Sequence, residues 1–188
     1  MEEFIVEVNQ TLTFQSSNQK LQYKPDNIFI KNVAIGIRTK ESDWIAYIEC
    51  KIWNIASQKD VMFWNYANEC EKEIEKKSFL SICNYLKVKN TPKKSLWNKK
   101  PMSGWAVYLS EFLIYDEYIE WDCEKFRIEI LEILPSILQH SFFIKPAYLF
   151  AELTASQVKQ MASLEAANFK KIGTIYAGDV ILFMKTCR

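Results

Sequence analysis

The stretch from Trp105 to Ile133, WAVYLSEFLIYDEYIEWDCEKFRIEILEI, constrains this chain more than any other. Its apolar first part predicts a strand over 105–115. An acidic elbow, 116–122, follows, and an amphipathic helix begins near Cys123. A strand that feeds a helix through an elbow leaves the first helical N–H groups free and the positive end of the helix dipole facing outward, which suits a phosphate. Here the elbow carries Asp116, Glu117, Glu120 and Asp122 and no glycine. Its architecture invites an anion and its residues repel one.

The rest of the composition narrows the classes. A chain of 188 residues fits a single domain, 1–188, and an aromatic content of 14% points to a core packed around large rings. The net charge of +1 gives no sign of a polyanionic partner. Gly36, Gly104, Gly173 and Gly178 are the only glycines, and none has a neighbour at the spacing of a glycine-rich phosphate loop. Cys50, Cys70, Cys83, Cys123 and Cys187 are odd in number and form no CxxC, so they read as reduced, mostly buried thiols. With one histidine, His140, neither a zinc site nor a histidine-based nucleophile pair is expected. No apolar run is long enough for a membrane, and the acidic, alternating start MEEFIVEV lacks a leader pattern, so a cytoplasmic protein without membrane contact is the expectation.

Along the chain, Phe4, Val6 and Val8 alternate as a first strand, and 11–23 is a loop or weak strand. Val33, Ile35 and Ile37 alternate, then Trp44, Ala46, Ile48, Cys50 and Ile52, which predicts a hairpin with one buried face. Ser57 and Asp60 start a helix through Phe63, Ala67, Cys70 and Ile74, which Phe79, Ile82, Cys83 and Leu86 continue or follow with a second. The segment 86–104 reads as a linker. Its lysines, Lys87, Lys89, Lys93, Lys94, Lys99 and Lys100, and its Trp97 make a basic loop that is expected to be exposed and mobile, with nucleic-acid binding as a minor alternative. After the central strand, Phe126, Ile130, Ile133 and Leu134 mark a buried helical stripe that Pro135 ends or kinks. Ser141 to Lys145 reads as a short strand stopped by Pro146, which 148–153 extends or crosses. Thr154 to Gln157 forms a capping-box pattern, Asn168 suits a helix C′ position, and 174–185 bends at Gly178-Asp179. The sum is a mixed α/β chain with a central, partly antiparallel sheet flanked by helices and an N-terminal β-hairpin.

That order, together with the ending ANFKKIGTIYAGDVILFMK, resembles the GNAT (GCN5-related N-acetyltransferase) superfamily over roughly residues 30–188. Asn168-Phe169 stands where the family has Gly-Phe. The strand 107–115 with Asp116-Glu117-Tyr118 resembles its fourth strand and "D-x-E-Y-R-G" elbow, and Ser57-Gln58 and Lys145-Pro146 resemble features of one subgroup. The resemblance implies acyl-CoA binding at the elbow through a loop of the form Gln/Arg-x-x-Gly-x-Gly/Ala. Those places here are Ile119, Asp122 and Glu124, so the basic residue and both glycines are replaced. Asp122 is instead placed to cap the helix, filling the anion site with its own carboxylate.

The resemblance also puts a general base on the fourth strand, at Glu111. Straight alternation sets it on one face with Val107, Leu109 and Leu113, where apolar neighbours would raise its pKa. The family's tyrosine acid falls on Leu164, which leaves Tyr108, Tyr115, Tyr118 and Tyr176 as unassigned alternatives. These departures favour a non-catalytic descendant that binds no cofactor and acts as a regulatory module toward a protein partner. The other reading is an N-acetyltransferase that uses acetyl-CoA through a non-standard donor site, with Glu111 as base.

Overall fold

The computed structural model describes residues 4–10, 14–17, 20–23, 30–40, 44–55, 73–90, 103–115, 123–154, 157, 160–175 and 178–187. Twelve elements follow in order: β1 (Phe4–Gln10), β2 (Phe14–Ser17), β3 (Lys20–Tyr23), β4 (Ile30–Thr39), β5 (Trp44–Asn54), α1 (Glu73–Asn90), β6 (Trp105–Ile114), α2 (Cys123–Phe142), β7 (Pro146–Thr154), α3 (Met161–Ala166), β8 (Lys170–Ile175) and β9 (Val180–Thr186). Seven strands form one sheet in the order β1-β4-β5-β6-β7-β9-β8, and β2 pairs with β3 alone. The hairpin β4–β5 is antiparallel, β6 and β7 are parallel, and helices flank the sheet. The expected mixed α/β architecture is therefore present.

Each face of the sheet has its own core. On the first, Ile35, Ile48, Cys50, Val107, Leu149 and Ala151 meet Phe126, Ile130, Leu131, Leu134 and Leu138 of α2 and Leu164 of α3. On the second, Trp53, Ala106, Tyr108 and Phe150 meet Phe79, Ile82, Cys83 and Leu86 of α1. The α1 side chains fall at i, i+3, i+4 and i+7, the spacing of one helical stripe. Cys50 and Cys83 are buried free thiols, Cys187 is half-buried, and burial pushes the Cys50 thiol well up. Cys70 lies outside the described residues.

Several expectations change. Leu86 is fully buried in α1, which runs on to Asn90, so the chain at 86–90 is helix, not linker. The remaining basic residues, Lys93, Lys94, Lys99 and Lys100, and the helix start at Ser57, lie outside the described residues. Helix α2 begins at Cys123 as expected but continues seven residues past Pro135 to Phe142. Proline has no N–H, so the Leu131 carbonyl loses its helical donor. The Lys185 ammonium supplies a replacement, donating to that oxygen at 3.4 Å. Ser141 and Phe142 are therefore helical, and the strand starts at Pro146, a first-strand position where no N–H is needed. Ile133 is exposed, because it stands about 100° round the helix from Leu134, at the rim of the stripe.

The end of the chain follows its local signals. Gln157 Oε1 accepts from both the Thr154 N–H and the Thr154 hydroxyl at 3.1 Å, but this bond closes the end of β7 and caps no α-helix: α3 starts only at Met161, with Gln160 at its N-cap and no side-chain cap bond. Asn168 adopts φ 68° at C′ of α3. The Asn168 N–H donates to Glu165 O and the Phe169 N–H to Leu164 O, each at 2.9 Å, which is the Schellman pattern. Gly178, at φ 109°, lies in the connection between β8 and β9.

Candidate functional site

The site is set by where two parallel strands part. β6 and β7 pair from Trp105↔Pro146 to Leu109↔Ala151 and no further. Both strands continue, to Ile114 and Thr154, each still bonded to its outer neighbour, β5 or β9. Their facing edges therefore diverge inside the sheet, and a cleft of about 130 Å³ opens between them. Ser110, Glu111, Arg127, Glu152, Gln157 and Leu164 line it. An edge of this kind offers backbone N–H and C=O groups to any extended chain laid against it.

A bulge marks the start of the divergence. Glu49 pairs with Glu111 and Cys50 with Leu109, so Ser110 is an extra residue in β6. Its hydroxyl donates to the Glu49 carbonyl at 3.4 Å. A bulge bends its strand and reverses the facing of every residue beyond it. Val107 and Leu109 point into the first core, but Glu111 and Leu113 share the second face with Tyr47 and Glu49. The straight alternation that set Glu111 among Val107 and Leu109 is thus corrected: beyond the bulge it is Phe112 and Ile114 that pack on the first core.

A second bulge acts in the same way. Ile37 pairs with Ala46 and Arg38 with Trp44, so Ile45 is extra in β5. Trp44 was expected on the buried face with Ala46. It lies instead on the second face, over Gly36, where a Cβ would overlap its indole ring. The sequence carries a trace of both bulges. Ser110-Glu111 puts two polar residues side by side in an apolar strand, and Ile45-Ala46 puts two apolar residues where one polar position is due.

On the second face two carboxylates, Glu111 and Glu152, line the cleft, and Glu49 stands beside the first. Glu111 and Glu49 are directly opposed across β5 and β6, and Glu152 of β7 lies beside the hydroxyl of Tyr108. Burial pushes the Tyr108 phenol well above its ordinary range, with Glu152 adding to the effect, so it keeps its proton at neutral pH. The Tyr47 hydroxyl donates to Glu49 Oε1 at 2.7 Å. That bond first, then burial and the charges of Glu49 and Glu111, push its pKa up to about 12. Because the folded value exceeds the unfolded one of about 10, Tyr47 contributes stability that is whole below about pH 10 and is lost as pH rises toward 12. The stability of Tyr47→Phe is expected to fall less steeply than the parent's between pH 10 and 12 in urea titrations; parallel profiles would contradict this.

On the first face Arg127, in the second turn of α2, is the cation that lines the cleft among the described residues, with its guanidinium 5.6 Å from the Phe112 ring centre. The elbow reading did not single it out, because it lies past the family's loop. Leu164, in the place of the family's tyrosine acid, is buried and lines the cleft. Tyr115 is exposed at the end of β6. His140 Nδ1–H donates to the Ser136 carbonyl at 2.8 Å in the last turn of α2, a local helix contact. Glu124 is exposed in the first turn of α2. Ile119, Asp122 and the helix cap expected of Asp122 lie outside the described residues, as do Tyr118 and Tyr176. No group of three or more His, Cys, Asp or Glu residues that could hold a metal occurs among the described residues, and no described helix is long and apolar enough to cross a membrane.

No protein-family profile matches the chain, and no curated protein matches it. Solved structures similar to it include Arabidopsis thaliana NAA60 in complex with acetyl-CoA, at 14% identity and TM-score 0.41, over 84% of this chain and 76% of that one. Another is the AHL synthase LasI, at 11% identity and TM-score 0.44, over 98% and 90%. A third is a GNAT-family acetyltransferase from Listeria monocytogenes, at 10% identity and TM-score 0.40, over 82% of this chain and 64% of that one.

Proposed function

We propose that the protein is an acyltransferase of the GNAT kind, whose cleft between β6 and β7 receives the extended arm of an acyl thioester and presents it to an amine on the second face. The observation that carries this is the parting of the two strands beyond Leu109 and Ala151. The diverging edges offer backbone groups that an arm containing amides can pair with, as an added strand does. The amine nitrogen attacks the thioester carbonyl, the new C–N bond replaces the C–S bond, and the thiolate leaves and takes up a proton to become the free thiol. In this reading Glu111, which lines the cleft on the second face, accepts the proton that the amine releases. Arg127 borders it at α2 and is placed near an anionic part of the donor.

The residues fit the arm of acetyl-CoA better than its diphosphate. Glu124 stands exposed at the start of α2, and the sequence has Ile119 and Asp122 where the family grips phosphate. This mismatch favours a second reading, in which the site is defunct and the protein is a binding or regulatory module. Titration calorimetry and thermal shift with CoA and with pantetheine separate the two. If the cleft holds the arm and the elbow does not grip phosphate, both bind with affinities within about tenfold, and at 100 times the dissociation constant each stabilises the fold by about 2.7 kcal/mol. Binding of CoA alone would mean the diphosphate is gripped after all. Binding of neither sinks the acyltransferase reading and leaves the module.

A further inference from the structure

The second face carries another cavity, beyond the cleft, that acyl transfer does not use. It measures about 340 Å³ and is lined by Asn9, Ala34, Gly36, Trp44, Tyr47 and Tyr115. The floor is small: Ala34 has only a methyl group and Gly36 none. The walls are three aromatic rings from three places in the sheet, the first and fourth positions of β5 and the residue after β6. Two of these rings are unusually open for a folded domain, with Trp44 46% and Tyr115 42% exposed. The bulge at Ile45 turns Trp44 onto this face, and the missing side chain of Gly36 lets the indole lie flat across β4.

Negative charge stands at one end of these rings. Glu49 accepts the Tyr47 hydroxyl at 2.7 Å, and Glu111 is its cross-strand neighbour. On this face Arg38 is held by Glu7 at 2.7 Å and Lys51 by Glu75 at 2.6 Å. Ring faces rich in π electrons, an open cavity and adjacent carboxylates together make the chemistry that recognises ammonium groups with apolar shells.

We propose that Trp44, Tyr47 and Tyr115 form an aromatic cage for an alkylated ammonium group, with Glu49, bound to the Tyr47 hydroxyl, as its counter-charge. The cage does not depend on acyl transfer at the cleft: it is a binding site in its own right, and its lining shares no residue with the lining of the cleft. The Tyr47 hydroxyl, its pKa pushed up by the bond to Glu49, keeps its proton and leaves that wall of the cavity neutral.

Choline is the probe, and 3,3-dimethylbutan-1-ol, the same shape without the charge, is its control. Binding is followed by the indole N–H signal of Trp44, assigned with Trp44→Phe, at fixed salt. Choline is expected to shift that signal and to bind about tenfold more tightly than the neutral alcohol. Gly36→Ala, which removes no ring but displaces the Trp44 indole, is expected to abolish the shift of a retained signal. Tyr115→Leu, at a position 42% exposed, is expected to weaken choline severalfold and serves if Gly36→Ala does not fold. Glu49→Gln should lose the preference for charge while still admitting the alcohol. Equal affinity for choline and the alcohol, or choline binding unchanged in Tyr115→Leu, overturns the proposal.

Discussion

Lys51→Met is expected to lower the unfolding free energy by about 3 kcal/mol, enough to bring the melting temperature down by about 10 °C in a chain of this size. The Lys51 ammonium on β5 lies 2.6 Å from Glu75 Oε1 on α1, and both side chains are largely buried, at 11% and 15% exposure. The pair sits between helix and sheet, where Lys51 faces Tyr108 across the strands. Each charge in such a place is tolerable because the other is there; remove the ammonium and the carboxylate stays in a poorly solvated gap. The pair itself need not stabilise the fold relative to apolar residues. Lys51→Met with Glu75→Leu is therefore expected to regain most of the loss. Guanidinium unfolding curves of the two variants decide it: a single-variant loss below about 1 kcal/mol would make the pair no more than a surface ion pair.

Trp53→Ala is expected to cost about 3–5 kcal/mol and to loosen α1 before the rest of the fold. Trp53 is fully buried, and its ring meets Phe79 of α1 edge-on at 5.3 Å between centres and stacks on Phe150 of β7 at 6.5 Å. One ring thus ties β5 to both a helix and the far side of the parallel pair. Truncation removes the transfer energy of an indole and leaves a cavity that neighbours on two rigid strands cannot fill. A double-mutant cycle with Phe79→Leu should show a coupling of about 0.5–1.5 kcal/mol. Hydrogen exchange gives the spatial test. Amides of α1 should lose protection well ahead of those of β8 and β9, whereas uniform loss would mean that the second core does not open by itself.

Both predictions concern the second face, and so do the residues whose placement the sequence did not reveal. Periodicity located the β4–β5 hairpin, the strand from Trp105 and the start of α2 at Cys123, because burial on one side repeats every two or every 3.6 residues and leaves its trace in the chain itself. Local chemistry located the ends of elements. Thr154 with Gln157, Asn168 at positive φ and Gly178 before the last strand work through neighbours a few residues away, so a sequence window contains all the atoms involved. Where the window misled, a distant partner was the cause. Pro135 does not end α2, because Lys185, far along the chain, bonds the carbonyl that the proline leaves unserved.

The sequence by itself determined the order of the main elements and the carboxylates available to a site, since these follow from side-chain type and spacing, but it assigned the hairpin one buried face where the structure has a core on each. Only the tertiary structure decided which way the chemistry points. The bulges at Ile45 and Ser110 exist because the hydrogen-bonded register of one strand slips by a residue against its neighbour, and that register belongs to the pair of strands, not to either sequence. Each slip turns one residue, Trp44 or Glu111, away from the core its alternation assigns it and onto the same face of the sheet. The parting of β6 from β7 has the same origin: it is a place where two strands stop pairing, and nothing in the ten residues of β6 alone records it.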